Sequence, residues 1–219
     1  KCAYSGASSM SYEEVFRIRG QLRRTWKAFF SSFGRLLPVQ IKTIPLVLAG
    51  RNAIIASPAA SGKTEAVVAP IVEKLLEEGC EGLSVLYISP TRALVNDLYE
   101  RLKDQMHDLG IMFAVKTGDR PQFNPEYPEE FLITTPESFD SLLCRHPRIF
   151  ATTRFVVLDE LHLLDGTYRG DQLRLLLERL RNVRSGAEMR YYALSATFRN
   201  PKEVAARYFN PFEVVSVGG

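Results

Sequence analysis

Short apolar runs alternate with longer amphipathic segments along most of the chain. Seven runs have strand length and are rich in β-branched or aromatic residues: 52–57, 84–89, 112–116, 131–135, 154–159, 190–195 and 212–217. Four segments carry apolar residues at the three- and four-residue spacing of helices: 65–78, 92–106, 172–183 and 201–209. Strands that are apolar throughout are buried on both faces, so the pattern predicts an α/β fold with three layers, in which helices cover both sides of a mainly parallel sheet. Such folds bind ligands at the carboxyl ends of their strands.

The residues before the first strand predict additional helices. A helical region covers roughly residues 11–30, and a further helix begins at Pro38 and ends at Gly50. Four aromatic residues lie in or just after the first of these regions: Trp26, Phe29, Phe30 and Phe33. Their spacing fits one helix face, which indicates that most of them belong to the core.

The composition sets limits on the class of protein. A length of 219 residues with 46% hydrophobic content is enough for a substantial core. The 28 Lys and Arg residues exceed the 25 Asp and Glu residues by only three, which permits a nucleic-acid partner through a local basic face without requiring one. No apolar run approaches the ~20 residues that span a bilayer. Three widely separated cysteines, Cys2, Cys80 and Cys144, indicate reduced thiols, so we expect a cytoplasmic protein with no membrane partner.

The two ends of the chain suggest a fragment. The chain begins at Lys1 and ends on Gly218 and Gly219, which could open a flexible linker. We therefore expect a second domain to follow in the parent protein.

A Gly-Lys-Thr triplet at residues 62–64 lies between the first apolar run and a helical segment. A phosphate-binding loop requires this context: backbone N–H groups and the helix N-terminus point at anionic oxygens, Lys63 reaches the β- and γ-phosphates, and the Thr64 hydroxyl ligates Mg²⁺. The alternative is an ordinary helix start, with Gly62 in a turn and Lys63 solvated. That alternative leaves the run of small residues at 57–61 unexplained.

Two adjacent carboxylates end another buried run. Asp159 and Glu160 follow that strand 96 residues after Lys63, where the ligand edge of the sheet is expected. A divalent cation bridging to nucleotide phosphates would compensate Asp159, and Glu160 could orient or deprotonate the attacking water. Solvated acids that simply cap the strand end are the alternative.

Further polar groups are expected near the same edge. His162 lies two residues past Glu160, and Ser195 and Thr197 follow the sixth run. The hydroxyl groups could connect Asp159 or His162 to neighbouring segments by hydrogen bonds, or could cap the next turn.

Together these motifs resemble the first RecA-like domain of superfamily-two helicases, the DEAD-box and DExH-box group. The motifs occur in the same order as in that family. LLPVQ at 36–40 is similar to the glutamine motif, SPAASGKT at 57–64 to motif I, and SPTRALVNDL at 89–98 to motif Ia. TGD at 117–119 and TTPES at 134–138 are similar to motif Ib elements, DELH at 159–162 to motif II, and SAT at 195–197 to motif III. The segments SGKTEA, RALVNDL and HLLDGTYRGDQLRLLLERL resemble the Lhr-like branch. DELH departs from the DEAD sequence and is compatible with many DExH groups.

The resemblance implies a RecA-like P-loop NTPase that hydrolyses ATP with Mg²⁺ and moves on nucleic acid. It assigns catalysis to Lys63, Asp159 and Glu160, and the metal to Thr64 and Asp159. It assigns a larger set to the nucleotide: Gln40, which would read adenine, Ser57, Ala60, Ser61, Gly62, Lys63, Thr64, Glu65 and His162. It assigns another set to the backbone of DNA or RNA: Thr91, Arg92, Thr117, Gly118, Thr135 and Pro136. Ser195 and Thr197 would couple the two sites.

Residue chemistry supports some of these roles. Arg92 offers a forked cation to a phosphate, and Thr135 offers a neutral donor, so both contact types would position a strand without reading its sequence. A solvated arginine at a helix start is the alternative for Arg92.

The family also needs a second RecA-like domain, which supplies arginine fingers. Residues 33–219 would form the ATP-binding domain, residues 1–32 a helical extension, and the 21 residues after Phe198 leave no room for the second domain. We therefore expect this chain to bind nucleotide weakly and hydrolyse it slowly.

The favoured function is the N-terminal motor lobe of a helicase; the alternatives are an ATP-gated nucleic-acid clamp and a duplex translocase that separates no strands. Glu160 favours hydrolysis over a pure switch.

Ala60 departs from the family loop, which often carries glycine there. A Cβ raises the cost of a positive φ, so the sequence predicts a negative φ at Ala60, in a loop that still holds an anion.

Overall fold

Seven strands of the described chain form one sheet in which every pair of neighbours is parallel. The computed structural model describes residues 12–32, 35–120, 122–184, 188–196 and 200–217. The strands are β1 Ala53–Ala56, β2 Val85–Ile88, β3 Phe113–Lys116, β4 Phe131–Thr134, β5 Phe155–Leu158, β6 Arg190–Ser195 and β7 Glu213–Ser216. Their order is β3-β4-β2-β5-β6-β1-β7. Each lies within a predicted apolar run, and the α/β prediction with a parallel sheet is confirmed.

Helices cover both faces of this sheet. They are α1 Tyr12–Gln21, α2 Trp26–Phe30, α3 Pro38–Leu48, α4 Lys63–Glu78, α5 Arg92–Asp108, α6 Pro136–Arg145, α7 Tyr168–Val183 and α8 Pro201–Tyr208, with short 3₁₀ helices at Pro147–Thr152 and Leu161–Leu163. Helices α1–α5 bury their apolar faces in one cluster, and α6–α8 bury theirs in another. Adjacent strand residues such as Ile54 and Ile55 belong to opposite clusters, because side chains alternate across a strand. None of these helices is long and apolar enough to cross a membrane.

The helix predictions hold with one omission and one change. The sequence pattern did not indicate α6, although Thr135 accepts a hydrogen bond from Ser138 N at its start and Pro136 occupies its first position. The helical region predicted over 11–30 is two helices, with a break at residues 22–25. Phe29 and Phe30 are buried in the core as expected, whereas Phe33 lies outside the described residues.

A buried carboxylate accepts hydrogen bonds from the break between α1 and α2. Glu73, in α4, is fully buried. Its two oxygens accept from Arg24 N at 3.1 Å, and one also accepts from Thr25 N and Thr25 Oγ1, both at 2.8 Å. These donors compensate the buried charge and fix the first two helices against α4.

The carboxyl ends of the strands collect the polar segments of the chain at one edge of the sheet. Residues 57–62 follow β1, Pro90 and Thr91 follow β2, and Thr135 follows β4. Asp159 follows β5, and Ala196 follows β6. This edge is where an α/β sheet binds its ligands.

Candidate nucleotide and nucleic-acid sites

The loop between β1 and α4 takes a left-handed backbone at two positions. Gly62 has φ +81° and stands next to Gln40, so a Cβ at residue 62 would come within 2.5 Å of Gln40 Nε2. Ala60 has φ +56°, so the prediction of a negative φ there is wrong. Residues 57–62 must reverse the chain between β1 and α4. The packing of these two elements therefore outweighs the conformational free energy of about 1–2 kcal/mol that the left-handed backbone costs at Ala60.

Lys63 lies across this loop. Its ammonium group donates to Ser57 O at 2.6 Å and to Pro58 O at 2.8 Å, and the side chain is buried. Burial lowers the pKa of Lys63, while the nearby charges of Glu160 and Asp159 oppose that shift. The hydroxyls of Ser57 and Ser61 are buried and have no hydrogen-bond partner among the described residues. The loop therefore offers a cation, the Ser61 hydroxyl and a helix N-terminus to a ligand, whereas Ser57 is only 1% exposed.

The two carboxylates after β5 lie opposite the loop. Asp159 N donates to Ile88 O at 2.8 Å, and Glu160 N donates to Asp159 Oδ1 at 3.0 Å. Burial raises the pKa of Asp159 to about 6, with a further contribution from the charge of Glu160. Glu160 has φ +43°, a strained conformation for a residue with a side chain.

A small cavity of about 110 Å³ joins these groups. Its lining includes Ser61, Gly62, Lys63, Thr64, Asp159 and Glu160. Tyr87 lies beneath it, fully buried in β2, and interacts with Thr64 and Asp159. The Tyr87 hydroxyl makes no hydrogen bond of good geometry within the part of the chain that the structure describes, so this contact is looser than a direct bond.

His162 lies between Glu160 and the end of β6. Its Nδ1 lies 3.2 Å from Ser195 Oγ and 3.3 Å from Glu160 Oε2, and it accepts from Ala196 N at 3.4 Å. Ser195 O also accepts from Ser57 N at 3.2 Å. The structure thus brings Ser195, His162 and Glu160 together with the start of the loop, whereas Thr197 lies outside the described residues.

A second cavity, of about 450 Å³, opens on the other side of Gly62. Its lining is Arg35, Leu37, Gln40, Ala60, Gly62, Glu65 and Arg101. Gln40 bridges two segments there, because Oε1 accepts from Leu37 N at 2.9 Å and Nε2 donates to Gly62 O at 3.4 Å. Gln40 and Glu65 are therefore placed at the loop, as the motif order implies.

A third cavity, of about 510 Å³, lies at the same sheet edge over β2 and β4. It is lined by Pro90, Thr91, Arg92, Lys116, Gly118, Thr135, Glu137, Ser138, Ser141 and Arg169. Four residues predicted to contact nucleic acid are among them, and two are not. Thr117 is fully buried and donates to Asp119 Oδ1 at 2.8 Å, and Pro136 is buried at the start of α6. These two residues shape the turns around the cavity rather than face it.

The sequence did not indicate several cavity residues. Arg169 donates to Glu137 Oε1 and to Pro90 O, both at 2.6 Å, and so ties α7 to the segments after β2 and β4. Lys116 ends β3, directly before the TGD turn. The cavity carries three cations, Arg92, Lys116 and Arg169, and one carboxylate, that of Glu137. A polyanion would find a favourable potential there.

Comparisons with known proteins agree with this arrangement. A family model described as DEAD/DEAH box helicase matches residues 37–204. The ATP-dependent helicase Lhr-Core protein 2 of Thermococcus barophilus is 34% identical over 221 residues, which cover 90% of this chain and 25% of the relative. The ATP-dependent DNA helicase Hel308 of Pyrococcus horikoshii is 32% identical, with 90% and 26% covered.

A solved structure shows the same fold. The Mycobacterium smegmatis helicase Lhr bound to ssDNA and AMP-PNP superposes with a TM-score of 0.80 at 31% identity, covering 88% of this chain and 27% of that one. The present chain spans about a quarter of the length of these relatives. It belongs to the DEAD/DEAH box helicase family, in which it is a first RecA-like domain similar to that of Lhr helicases.

Proposed function

We propose that this chain is the N-terminal motor lobe of an ATP-dependent helicase that acts on DNA or RNA. One observation carries the proposal: the phosphate-type loop, the paired carboxylates and a cationic cavity meet at one edge of the sheet, and Ser195 and His162 connect the first two. In this proposal residues 33–219 are the ATP-binding domain, residues 1–32 are a helical extension, and a second RecA-like domain of the parent chain completes the motor.

The residues around the loop fit a nucleoside triphosphate. The left-handed backbone at Ala60 and Gly62 turns the loop into the α4 N-terminus, and the Ser61 hydroxyl, which has no partner among the described residues, offers a further hydrogen bond. Lys63 would exchange its two carbonyl partners for phosphate oxygens, which are stronger acceptors.

The carboxylates would share the work of hydrolysis. Thr64 and Asp159 would hold Mg²⁺, which supplies charge neutralisation on the phosphates. Glu160 would accept a proton from the attacking water, and His162 lies beside its carboxylate, with Nδ1 3.3 Å from Oε2. Ser195 and Thr197 would transmit changes at this site to the neighbouring segments.

The cavity over β2 and β4 would hold the nucleic-acid backbone. Arg92 is largely exposed and lies 3.7 Å from Asp119, a weak pairing that a phosphate replaces readily. Thr91 and Thr135 begin helices α5 and α6, whose N-termini face the same cavity. Such contacts position a strand and read no sequence.

Replacement of the proposed base tests the hydrolytic role. Phosphate release by the 219-residue chain would be measured with and without single-stranded DNA or RNA at fixed salt, since backbone affinity depends steeply on salt. We expect Glu160→Gln to lower the rate about a hundredfold and to leave ATP binding intact. Glu203→Gln, an exposed change in α8, is the matched control and should leave the rate unchanged.

Two outcomes would point elsewhere. Nucleic-acid-stimulated hydrolysis that survives in Glu160→Gln would refute the assignment of the base. Strand binding that depends on ATP while no phosphate is released would favour the ATP-gated clamp.

The wild-type rate is expected to be low, because a trans-acting arginine contributes several orders of magnitude in phosphoryl transfer. Robust duplex unwinding by this chain alone would contradict that expectation.

A further inference from the structure

Arg101 stands where two of the cavities meet. The 110 Å³ cavity contains Lys63 and the carboxylates, and the 450 Å³ cavity contains Gln40. Four residues line both cavities: Ala60, Gly62, Glu65 and Arg101. A ligand that spans the two cavities must pass this set, and only Glu65 and Arg101 within it carry charged side chains.

The two charged residues come from different helices and form a pair. Glu65 lies in the first turn of α4, and Arg101 lies in α5. Arg101 Nη2 donates to Glu65 Oε1 at 2.9 Å, whereas the distance from Arg101 Nη1 to Asp97 Oδ2 is 4.0 Å, too long for a hydrogen bond. A guanidinium has five N–H donors, so this arrangement leaves donors for a ligand while Glu65 fixes the orientation of the group.

The chemistry of a nucleotide matches the order of the cavities. With its phosphates at Lys63 and its base near Gln40, a nucleoside triphosphate places its ribose and α-phosphate between them. A guanidinium suits the α-phosphate oxygens, and a carboxylate accepts from ribose hydroxyls. We infer that Arg101 and Glu65 form a subsite for the ribose and α-phosphate, which selects nucleotides over inorganic pyrophosphate. This inference rests on the proposed function.

An ordinary contact between helices is the competing explanation. The Arg101 side chain is 48% exposed, and exposed ion pairs add little to stability. Such a contact would influence α4 and the loop as a whole. Its removal would then change the affinity for every phosphate ligand by the same factor, or change none.

Ligand comparison separates the two explanations. Binding of ATP, ADP and inorganic pyrophosphate to the 219-residue chain would be measured by calorimetry for the wild type and for Arg101→Ala. We expect Arg101→Ala to weaken ATP and ADP about tenfold, the effect of one charged hydrogen bond, and to change inorganic pyrophosphate, which has no α-phosphate, less than about twofold. Equal losses for all three ligands, or no loss for any, would overturn the inference.

Three further variants control the result. Lys103→Ala removes an exposed cation of the same helix that pairs with Glu100 and lines neither cavity, so it should bind all ligands like the wild type. Arg101→Lys keeps the charge but loses the forked donors, so its ATP affinity should fall between those of the wild type and Arg101→Ala. It also tests the inference if Arg101→Ala does not fold.

Lys63→Ala separates failure of this inference from failure of the proposed function. That variant should lose affinity for both ATP and inorganic pyrophosphate. If it does so while Arg101→Ala binds ATP like the wild type, only the subsite is refuted. If the wild type binds neither ligand, the proposed function fails as well.

Discussion

Replacing Ala60 by glycine tests whether the loop stores backbone strain. A left-handed conformation costs a residue with a side chain about 1–2 kcal/mol, and glycine avoids this cost. Glycine in turn loses more backbone entropy on folding, which costs about 0.4–1 kcal/mol. The Ala60 side chain is exposed, so its removal sacrifices little packing. With φ +56° at this position, we expect Ala60→Gly to stabilise the protein by about 0.5–1 kcal/mol.

Ala59 provides the matched control. It is also exposed, and among the described residues only Ala60 and Glu160 combine a side chain with positive φ. Ala59→Gly should therefore show the entropic loss alone and destabilise the protein by about 0.4–1 kcal/mol. Guanidinium unfolding of both variants, without nucleotide, measures the difference, which we expect to be about 1–2 kcal/mol. Equal destabilisation by the two substitutions would refute a strained residue 60.

Three further predictions concern stability and binding. Glu73→Gln places an amide against backbone donors and should lower the free energy of unfolding by about 3 kcal/mol, whereas exposed Glu77→Gln should change it little; denaturant titration compares them. Because folding raises the pKa of Asp159 from 3.8 to about 6, the folded state holds this proton more tightly. The stabilisation that this protonated carboxyl gives the folded state is therefore complete below about pH 4 and is lost as pH rises through 6. In metal-free buffer the free energy of unfolding should fall by about 3 kcal/mol over this range. Asp159→Asn should abolish that part of the pH profile, and an unchanged profile would contradict the assignment. Arg92→Ala should weaken single-strand binding about fivefold and reduce the salt slope by about one, whereas Arg174→Ala, an exposed change in α7, should do neither in an anisotropy titration.

Periodic elements could be predicted from the sequence because burial dictates them. Every predicted strand and the four helices with apolar spacing are present, since a strand covered on both faces must be apolar throughout. The segment of α6 carried its own signals in Thr135 and Pro136, and attention to capping would have found it.

Features that depend on the geometry of a whole loop or on residues distant in sequence could not be predicted in this way. The positive φ of Ala60 opposes the local preference of alanine, and the geometry of the whole loop decides it. The break between α1 and α2 donates its hydrogen bonds to Glu73, 48 residues after Thr25. Arg101 and Arg169 reach their cavities only because α5 and α7 pack beside the motifs, so no short pattern reveals them.

The family model matches a shorter stretch than the sheet and its covering helices occupy. The match of the family model covers residues 37–204, yet β7 lies beyond it and pairs with β1, the strand that leads into the phosphate-type loop. A chain trimmed to the matched residues would expose the backbone of β1 as a sheet edge, and would leave Glu73 buried without its donors. Exposed edges recruit other chains, so such a piece would aggregate before its motifs could be assayed. The motifs of this domain can therefore be transplanted or dissected only together with the flanking segments that carry no motif.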